Sequence, residues 1–261
     1  MHAVSNRISP WFLALVAATA VGGVLAVVGT PEAEASGSSA LLTAGVVVLV
    51  LAGWAVSLCL HEFGHAYVAY RAGDRSVRGK GYLNLDIRRY TDLGLSFVLP
   101  VVFLLLGGIP LPGGAVWIEH GAIRSRPMRT LVSLAGPLAN LLIGAVCTLA
   151  VAVLPMPIGL AIGLSCLALI QVLAFVLNIL PVPGLDGFGA LEPYLSAPTR
   201  QFADRIRPWG PIVLFLVLIG LPGASQVFFD LGGAIFAAVG GNLPLAATGY
   251  NELFFWQGSL A

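Results

Sequence analysis

Charged residues are scarce in this chain. Of its 261 residues, only 10% are Asp, Glu, Lys or Arg, while 58% are hydrophobic. Because soluble domains carry about 25% charged residues, this composition excludes a protein that faces water on all sides. The net charge of +1 and the lack of any basic run give no reason to expect nucleic-acid binding. The composition predicts a polytopic membrane protein of the all-α class.

Cysteine is also rare. The chain has three cysteines, all in apolar segments and none in a CxxC pair: Cys59, Cys147 and Cys166. This distribution argues against a disulfide framework and against a zinc site made of thiolates. Histidine is nearly as rare, with four residues. A metal site with three protein ligands is therefore expected to combine imidazoles with a carboxylate.

Apolar runs of the length needed to cross a bilayer, about 20 residues, recur along the chain. They lie at about 11–29, 41–70, 130–153, 159–180 and 209–240. Leu221-Pro222-Gly223 interrupts the last run, which predicts two shorter helices, 209–221 and 225–240, and about six transmembrane helices in all. We expect a single domain over 1–261, with its core at about 41–190.

The basic residues decide the topology of a further apolar run, 93–109, which is short and interrupted by proline and glycine. If this run does not cross the membrane and the N-terminus is cytoplasmic, all 13 Lys and Arg residues lie on the cytoplasmic side. The positive-inside rule favours this arrangement, because a crossing would turn the later basic groups outward. We therefore expect a cell-membrane protein with both termini in the cytoplasm, a re-entrant segment at 93–109 and a loop or short β-hairpin after it. The tail after residue 240 is expected to lie at the membrane interface.

The most informative motif is His61-Glu62-Phe63-Gly64-His65, inside the second apolar run. Residues at i and i+4 lie one above the other on a helix, so both imidazoles can bind one zinc ion. Glu62 is placed to take a proton from the water that the metal activates. Ionisable groups inside a membrane span are costly, so a functional site is favoured over a chance match.

The third metal ligand is predicted to be Asp186. The run at 159–180 and the run that carries the motif both end on the cytoplasmic side, so Asp186 emerges where the histidines lie. Two prolines unwind the chain before it, and Gly187 permits a sharp turn. The alternatives are Asp86, Asp92 and His120 as ligand, or a mere turn role for Asp186.

Four segments together carry a resemblance to a known family. They are HEFGH at 61–65, GYLNLD at 81–86, AGPLAN at 135–140 and NILPVPGLDG at 178–187. In this order, over about residues 50–190, they resemble the site-2 protease family of intramembrane zinc metallopeptidases. In that family the segment matching 81–86 is a short strand region.

The resemblance implies that His61, His65 and Asp186 hold one Zn²⁺ ion and that Glu62 is the general base. It also implies substrates that are transmembrane segments of other proteins, often membrane-held regulators of transcription. For Asn140 it implies contact with the oxyanion or the substrate backbone; the alternative is a hydrogen bond between helices.

A zinc-dependent protease in the lipid bilayer is therefore expected. The alternative is a membrane metal-ion carrier that uses the same ligands. A carrier needs polar residues along a route through the membrane, and the runs at 11–29 and 159–180 offer almost none. For the protease, the unwound substrate is expected to bind along strand edges at 81–86 or 110–118.

Overall fold

The computed structural model describes residues 8–90 and 116–257, which are helical apart from turns and short irregular segments. The helices are α1 (Pro10–Ser36), α2 (Ala40–Ala72), α3 (Ser76–Gly79), α4 (Ile87–Tyr90), α5 (Arg126–Val153), α6 (Ile158–Asn178), α7 (Asp186–Leu191), α8 (Ala197–Ile206), α9 (Gly210–Gly220), α10 (Ala224–Ala238) and α11 (Leu243–Leu253). Short 3₁₀ turns lie at Tyr82–Asn84, His120–Ala122, Glu192–Tyr194 and Phe255–Gln257. The predicted all-α class is confirmed for this part of the chain.

Four helices in the described ranges are long and apolar enough to cross a membrane: α1, α2, α5 and α6. Helices α9 and α10 pass the same test only together, and they are bent by 100° at the break between them. Alone, their 11 and 15 residues extend about 17 and 23 Å, short of the roughly 30 Å of a hydrocarbon core. The predicted break at Leu221-Pro222-Gly223 is present, but the count of six transmembrane helices is not confirmed.

The predicted strand region at 81–86 is wrong. Tyr82–Asn84 is a 3₁₀ turn, flanked by Gly81 at φ 76° and Leu85 at φ 54°. Both flanking residues are left-handed, a conformation that a strand does not contain. No strand occurs within residues 8–90 and 116–257, so the β-hairpin prediction finds no support there. The run at 93–109 and the following residues to 115 lie outside the described residues.

The chain divides into two compact units. The described residues of the first unit are 8–9, 58–90, 116–140 and 173–231, and those of the second are 10–57, 141–172 and 232–257. In the first unit, the end of α2 packs on the segments around residue 120 and on the start of α5. The buried residues of this cluster are Ala66, Ala69, Ala72, Val77, Ile123 and Val132.

In the second unit, glycine lets α1 and the first part of α2 approach until their backbones touch. A Cβ atom at Gly22 would lie 2.3 Å from the Leu49 nitrogen, and one at Gly45 would lie 2.2 Å from the Ala26 nitrogen. Such close approach is how apolar helices gain van der Waals contact.

Much of the tail after residue 240 is helical. The Asn242 side chain accepts a hydrogen bond from the Leu245 N–H and so caps α11. Ala246, Gly249 and Leu253 are buried, and a Cβ atom at Gly249 would lie 2.6 Å from that of Cys166. The interfacial position expected for this tail stays a prediction.

Candidate metal centre

The two histidines of the motif converge as their spacing predicts. Helix α2 continues unbroken through the motif, so His61 and His65 lie on one face. Their Nε2 atoms are 3.0 Å apart and their rings are nearly perpendicular, at 78°. Both side chains are buried. Two ring nitrogens thus point at one small volume.

Asp186 brings a carboxylate to the same volume. Its Oδ2 lies 3.2 Å from His61 Nε2, and its Oδ1 lies 3.4 Å from His65 Nε2. Unlike the histidines, the Asp186 side chain is 24% exposed. The chain can fold back after α6 because Gly187 has no side chain, since a Cβ atom there would lie 2.0 Å from the Ile179 carbonyl oxygen. The predicted sharp turn is therefore present.

The three side chains fit a tetrahedral metal ion such as Zn²⁺. Their ligand atoms all lie within 4.8 Å of one another. Two ligand atoms bound tetrahedrally at about 2.0–2.1 Å from one zinc ion lie roughly 3.3 Å apart. The measured separations of 3.0, 3.2 and 3.4 Å match this value. Two imidazoles and one carboxylate also form a ligand set found in catalytic zinc sites.

A backbone carbonyl sets the tautomer of His65. Its Nδ1 lies 2.7 Å from the Val132 carbonyl oxygen in α5. Since a carbonyl only accepts, the proton sits on Nδ1 and leaves Nε2 unprotonated and able to bind a metal. Pro137 has no N–H, so the neighbouring carbonyl of Ser133 lacks its usual helical donor. The Val132 carbonyl that binds His65 is thus next to a carbonyl, that of Ser133, which lacks its helical hydrogen bond.

Gly136 makes room for the two histidines. A Cβ atom at this position would lie 2.2 Å from His65 Nε2 and 2.5 Å from His61 Nε2. On the α2 side, a Cβ atom at Gly64 would lie 3.0 Å from the Ala135 carbonyl oxygen. Any side chain at 136 would occupy the volume where the ligand atoms meet. Sequence reasoning missed this role, although Gly136 stands in the AGPLAN segment.

Glu62 is buried beside this volume. Its Oε2 accepts a hydrogen bond of 3.1 Å from the backbone N–H of Val116. Val116 lies in an irregular stretch, described over residues 116–119, that precedes the 3₁₀ turn at His120–Ala122. A backbone donor of this kind has no signature in the sequence, and sequence reasoning missed it as well.

The sequence is similar to a known protein family and to known proteins. Residues 47–165 match the family described as Peptidase family M50. The chain is 45% identical to the protein of Mycobacterium tuberculosis named as zinc metalloprotease Rip2, over 97% of this chain and 96% of that protein. The chain belongs to peptidase family M50.

Two further proteins that are similar to this M50 member are also named as zinc metalloproteases. The Rip2 protein of Mycolicibacterium smegmatis is 41% identical over 97% of this chain and 96% of its own length. The Bacillus subtilis protein named as zinc metalloprotease YwhC is 28% identical over 67% of this chain and 82% of its own length. No solved structure matches. The resemblance to the site-2 protease family is confirmed, and the chain is a membrane zinc metalloprotease rather than a metal carrier.

Asn140 of this M50 protease lies one helical turn beyond Gly136, on the same face of α5. Its side chain is buried, and its Oδ1 has no hydrogen-bond partner among the described residues. Asn178 behaves differently, because its Nδ2 donates to the Ala174 carbonyl within α6. An unpaired buried carbonyl oxygen next to Gly136 is suited to accept a hydrogen bond from a donor that enters the site.

Two of the alternative ligands, Asp86 and His120, are not brought to the metal centre. Asp86 instead accepts two hydrogen bonds from the Arg88 guanidinium, at 2.9 and 2.8 Å, which hold the pKa of its carboxyl below the usual value. His120 is exposed, and its Nδ1 lies 3.1 Å from the Ile118 carbonyl oxygen. Asp92 lies outside the described residues.

Proposed function

We propose that this M50 member hydrolyses peptide bonds in or next to transmembrane segments of other membrane proteins. In this proposal His61, His65 and Asp186 hold one zinc ion and Glu62 is the general base. The observation that carries it is the convergence of two Nε2 atoms and a carboxylate, spaced by 3.0–3.4 Å, beside a second buried carboxylate. When bound, the ion lowers the pKa of water to about 7 and polarises the scissile carbonyl.

Glu62 carries the proton through the reaction. It accepts a proton from the attacking water, whose oxygen forms the new bond to the carbonyl carbon. The C–N bond then breaks, and Glu62 delivers the proton to the leaving amine, so one water is consumed for each peptide bond. The Val116 N–H binds one carboxylate oxygen, which leaves the other oxygen for the proton.

Asn140 is proposed to stabilise the developing oxyanion. Its amide N–H groups are donors of the type found in oxyanion holes, where one donor contributes about 100-fold or more to kcat. Its position one turn beyond Gly136 supports this role. A bond between helices is the competing role, and an activity loss in Asn140→Ala with unchanged thermal stability would separate the two.

The substrate must unwind locally before attack, because the carbonyls of a helix are engaged in its own hydrogen bonds. We propose that the 116–119 segment binds the unwound stretch by backbone pairing. The 81–86 segment does not qualify, since it is a 3₁₀ turn. Membrane-held regulators of transcription are the proposed substrates, as in the family that the chain resembles.

The orientation of the chain is proposed from its charges. With α1, α2, α5 and α6 as the four crossings, a cytoplasmic N-terminus and a non-crossing 93–109 put every Lys and Arg on the cytoplasmic side. A cytoplasmic C-terminus then requires α9 and α10 to enter and leave by that same side. Reporter fusions at 119 and after 261 test the arrangement, and an outside signal at 119 overturns it.

The deciding experiment compares purified native protein with Glu62→Gln in lipid nanodiscs. The probe is an internally quenched single-span peptide with a central Gly-Pro break, and zinc content is measured alongside. We expect Glu62→Gln to retain zinc and lose cleavage, whereas undiminished cleavage would overturn the mechanism. Asp186→Ala is expected to lose zinc, and Asp86→Asn, the matched control, to keep it. Unchanged zinc in Asp186→Ala would remove it as a ligand.

A further inference from the structure

We infer that Asp74 is a positioning residue for Glu62 and that it acts through the 116–119 segment. The inference rests on the proposed role of Glu62 as the general base. Asp74 follows the end of α2, twelve residues after Glu62, or about 18 Å along a helix. At that distance it cannot touch the reacting atoms, so any effect on Glu62 must be transmitted.

The first step of the transmission is the Val116 N–H. Among the described residues it is the one donor to the Glu62 carboxylate, at 3.1 Å. A glutamate side chain has several rotatable bonds, so the direction of its carboxylate depends on what binds it. Where the Val116 N–H lies therefore decides where the Glu62 oxygens point.

The second step is the anchoring of the 116–119 segment. This segment belongs to no helix, so contacts with other parts of the chain must hold it. The Glu119 N–H donates to Asp74 Oδ2 at 2.8 Å, and Lys80 Nζ donates to the Trp117 carbonyl at 3.0 Å. Val116 and Ile118 pack against the buried cluster at the end of α2. Of these two polar anchors, the Lys80 side chain is 30% exposed, whereas Asp74 is buried.

The third step is the rigidity of Asp74 itself. Its residue is 1% exposed, and its Oδ1 accepts from both the N–H and the hydroxyl of Ser76, at 2.9 and 2.6 Å. Oδ1 thus holds the loop after α2, while Oδ2 holds Glu119. Charge-assisted hydrogen bonds of this kind are the stronger class. The carboxylate joins the end of the motif helix to the segment that binds Glu62.

Asp86 provides a matched comparison. It is also buried, also follows α2, and also accepts several hydrogen bonds. Its partners, however, are Arg88 and Arg89, two and three residues away. It makes a local turn and holds no part of the 116–119 segment. A general effect of losing a buried carboxylate should appear in both positions, and a positioning effect only in Asp74.

The first experiment measures hydrogen exchange at single-amide resolution in zinc-loaded full-length protein in nanodiscs. In Asp74→Ala we expect the amides of both Glu119 and Val116 to exchange at least about tenfold faster, because the anchor of the segment is gone. In Asp86→Ala both amides should keep the native rate. Faster exchange at Glu119 with an unchanged rate at Val116 would overturn the inference, since the segment would then not transmit the change.

The second experiment removes the other partner of the same bond. Glu119 has φ −82°, close enough to the value of proline that Glu119→Pro removes the N–H with little backbone change. Glu119→Ala keeps the N–H and loses only the exposed pair with Lys80, so it is the matched control. We expect Asp74→Ala and Glu119→Pro each to lower kcat by about 10- to 100-fold, as misplacement of a catalytic group does, with zinc content unchanged.

The double variant separates one shared bond from two independent defects. Asp74→Ala combined with Glu119→Pro should be no slower than either single variant, because both remove the same interaction. Multiplying losses would overturn the inference, as would native kcat in Asp74→Ala. Glu62→Gln is measured beside them with the same quenched peptide. Full activity of Glu62→Gln defeats the proposed function, whereas its inactivity together with an active Asp74→Ala defeats only the positioning role.

Discussion

Glycine allows close contact between helices at two places in this protein, and the two contacts have different consequences. In the second unit, Gly22 and Gly45 let α1 and α2 touch, and the atoms that a Cβ would meet belong to the backbone. In the first unit, Gly136 of α5 faces α2, and the atoms that its Cβ would meet belong to the imidazole rings of His61 and His65. The first contact serves packing alone. The second keeps a volume free for chemistry, and only the contacted atoms distinguish the two.

The largest effect is expected from Gly136→Ala. The added methyl group would lie 2.2 and 2.5 Å from the two Nε2 atoms, so the imidazoles must turn away. We expect zinc affinity to fall at least about 100-fold, beyond what disturbed ligand orientation usually costs, and cleavage to be lost with it. Metal analysis after dialysis against a chelator measures this. Stoichiometric zinc in the variant would show that the two helices can separate without harm to the site.

Gly45→Ala is the matching change in the packing contact. Its methyl group would lie 2.2 Å from the Ala26 nitrogen, so α1 and α2 must move apart. We expect the free energy of unfolding to fall by about 1–3 kcal/mol, as for other overpacked sites, while each folded molecule still binds one zinc ion. Thermal unfolding in detergent measures the loss of stability, and zinc analysis of the folded protein measures the metal content. A loss of zinc from the folded fraction would erase the distinction between the two contacts.

A smaller effect is expected from Thr130→Val. The Thr130 hydroxyl donates to the Ala190 carbonyl at 2.8 Å and so links α5 to α7, the helix that Asp186 begins. Losing one such bond costs about 1 kcal/mol, so zinc affinity should fall by less than about tenfold. Chelator competition gives the value. Thr248→Val removes a comparable bond to Pro244 inside α11 and should leave zinc affinity unchanged.

The smallest expected effect is on the pH dependence of thermal stability, through Asp74 in the first unit. Burial acts to raise the pKa of Asp74, but hydrogen bonds from Ser76 and Glu119 hold it below the ordinary value of 3.8. The ionised Asp74 carboxylate therefore makes its full contribution to the free energy of unfolding above pH 3.8. That contribution is lost as the pH falls through the lowered pKa of the folded state. We expect the Tm of the native protein to decline more steeply below about pH 4 than that of Asp74→Asn. Parallel curves would contradict this.

The sequence predicted those parts of the site that depend on local spacing or on the order of helices. The i, i+4 spacing brought His61 and His65 together, and the shared direction of two helices brought Asp186 to them. The roles of Gly136, Val116 and Val132 were missed, because each depends on which distant atom the backbone meets. Helices α9 and α10 begin and end close to the bounds predicted within 209–240, but each is too short to cross the membrane alone.

The failed strand at 81–86 has a different cause. The strand was expected because GYLNLD resembles a strand region of the family, whereas the segment here contains two left-handed residues, Gly81 and the non-glycine Leu85 with φ 54°. A left-handed leucine is rare, and nothing in its own side chain predicts it. The local sequence pattern therefore could not show this turn.

The unequal exposure of the three proposed ligands bears on how the metal is loaded. If these residues hold the ion, one approaching from solvent would meet the partly open Asp186 carboxylate first and would shed its remaining water to reach the enclosed imidazoles. A departing ion would take the reverse path. The rate of metal exchange would then depend on the Asp186 carboxylate. A change at this residue could alter the rate at which a chelator removes the ion even when the equilibrium affinity for the ion stays the same.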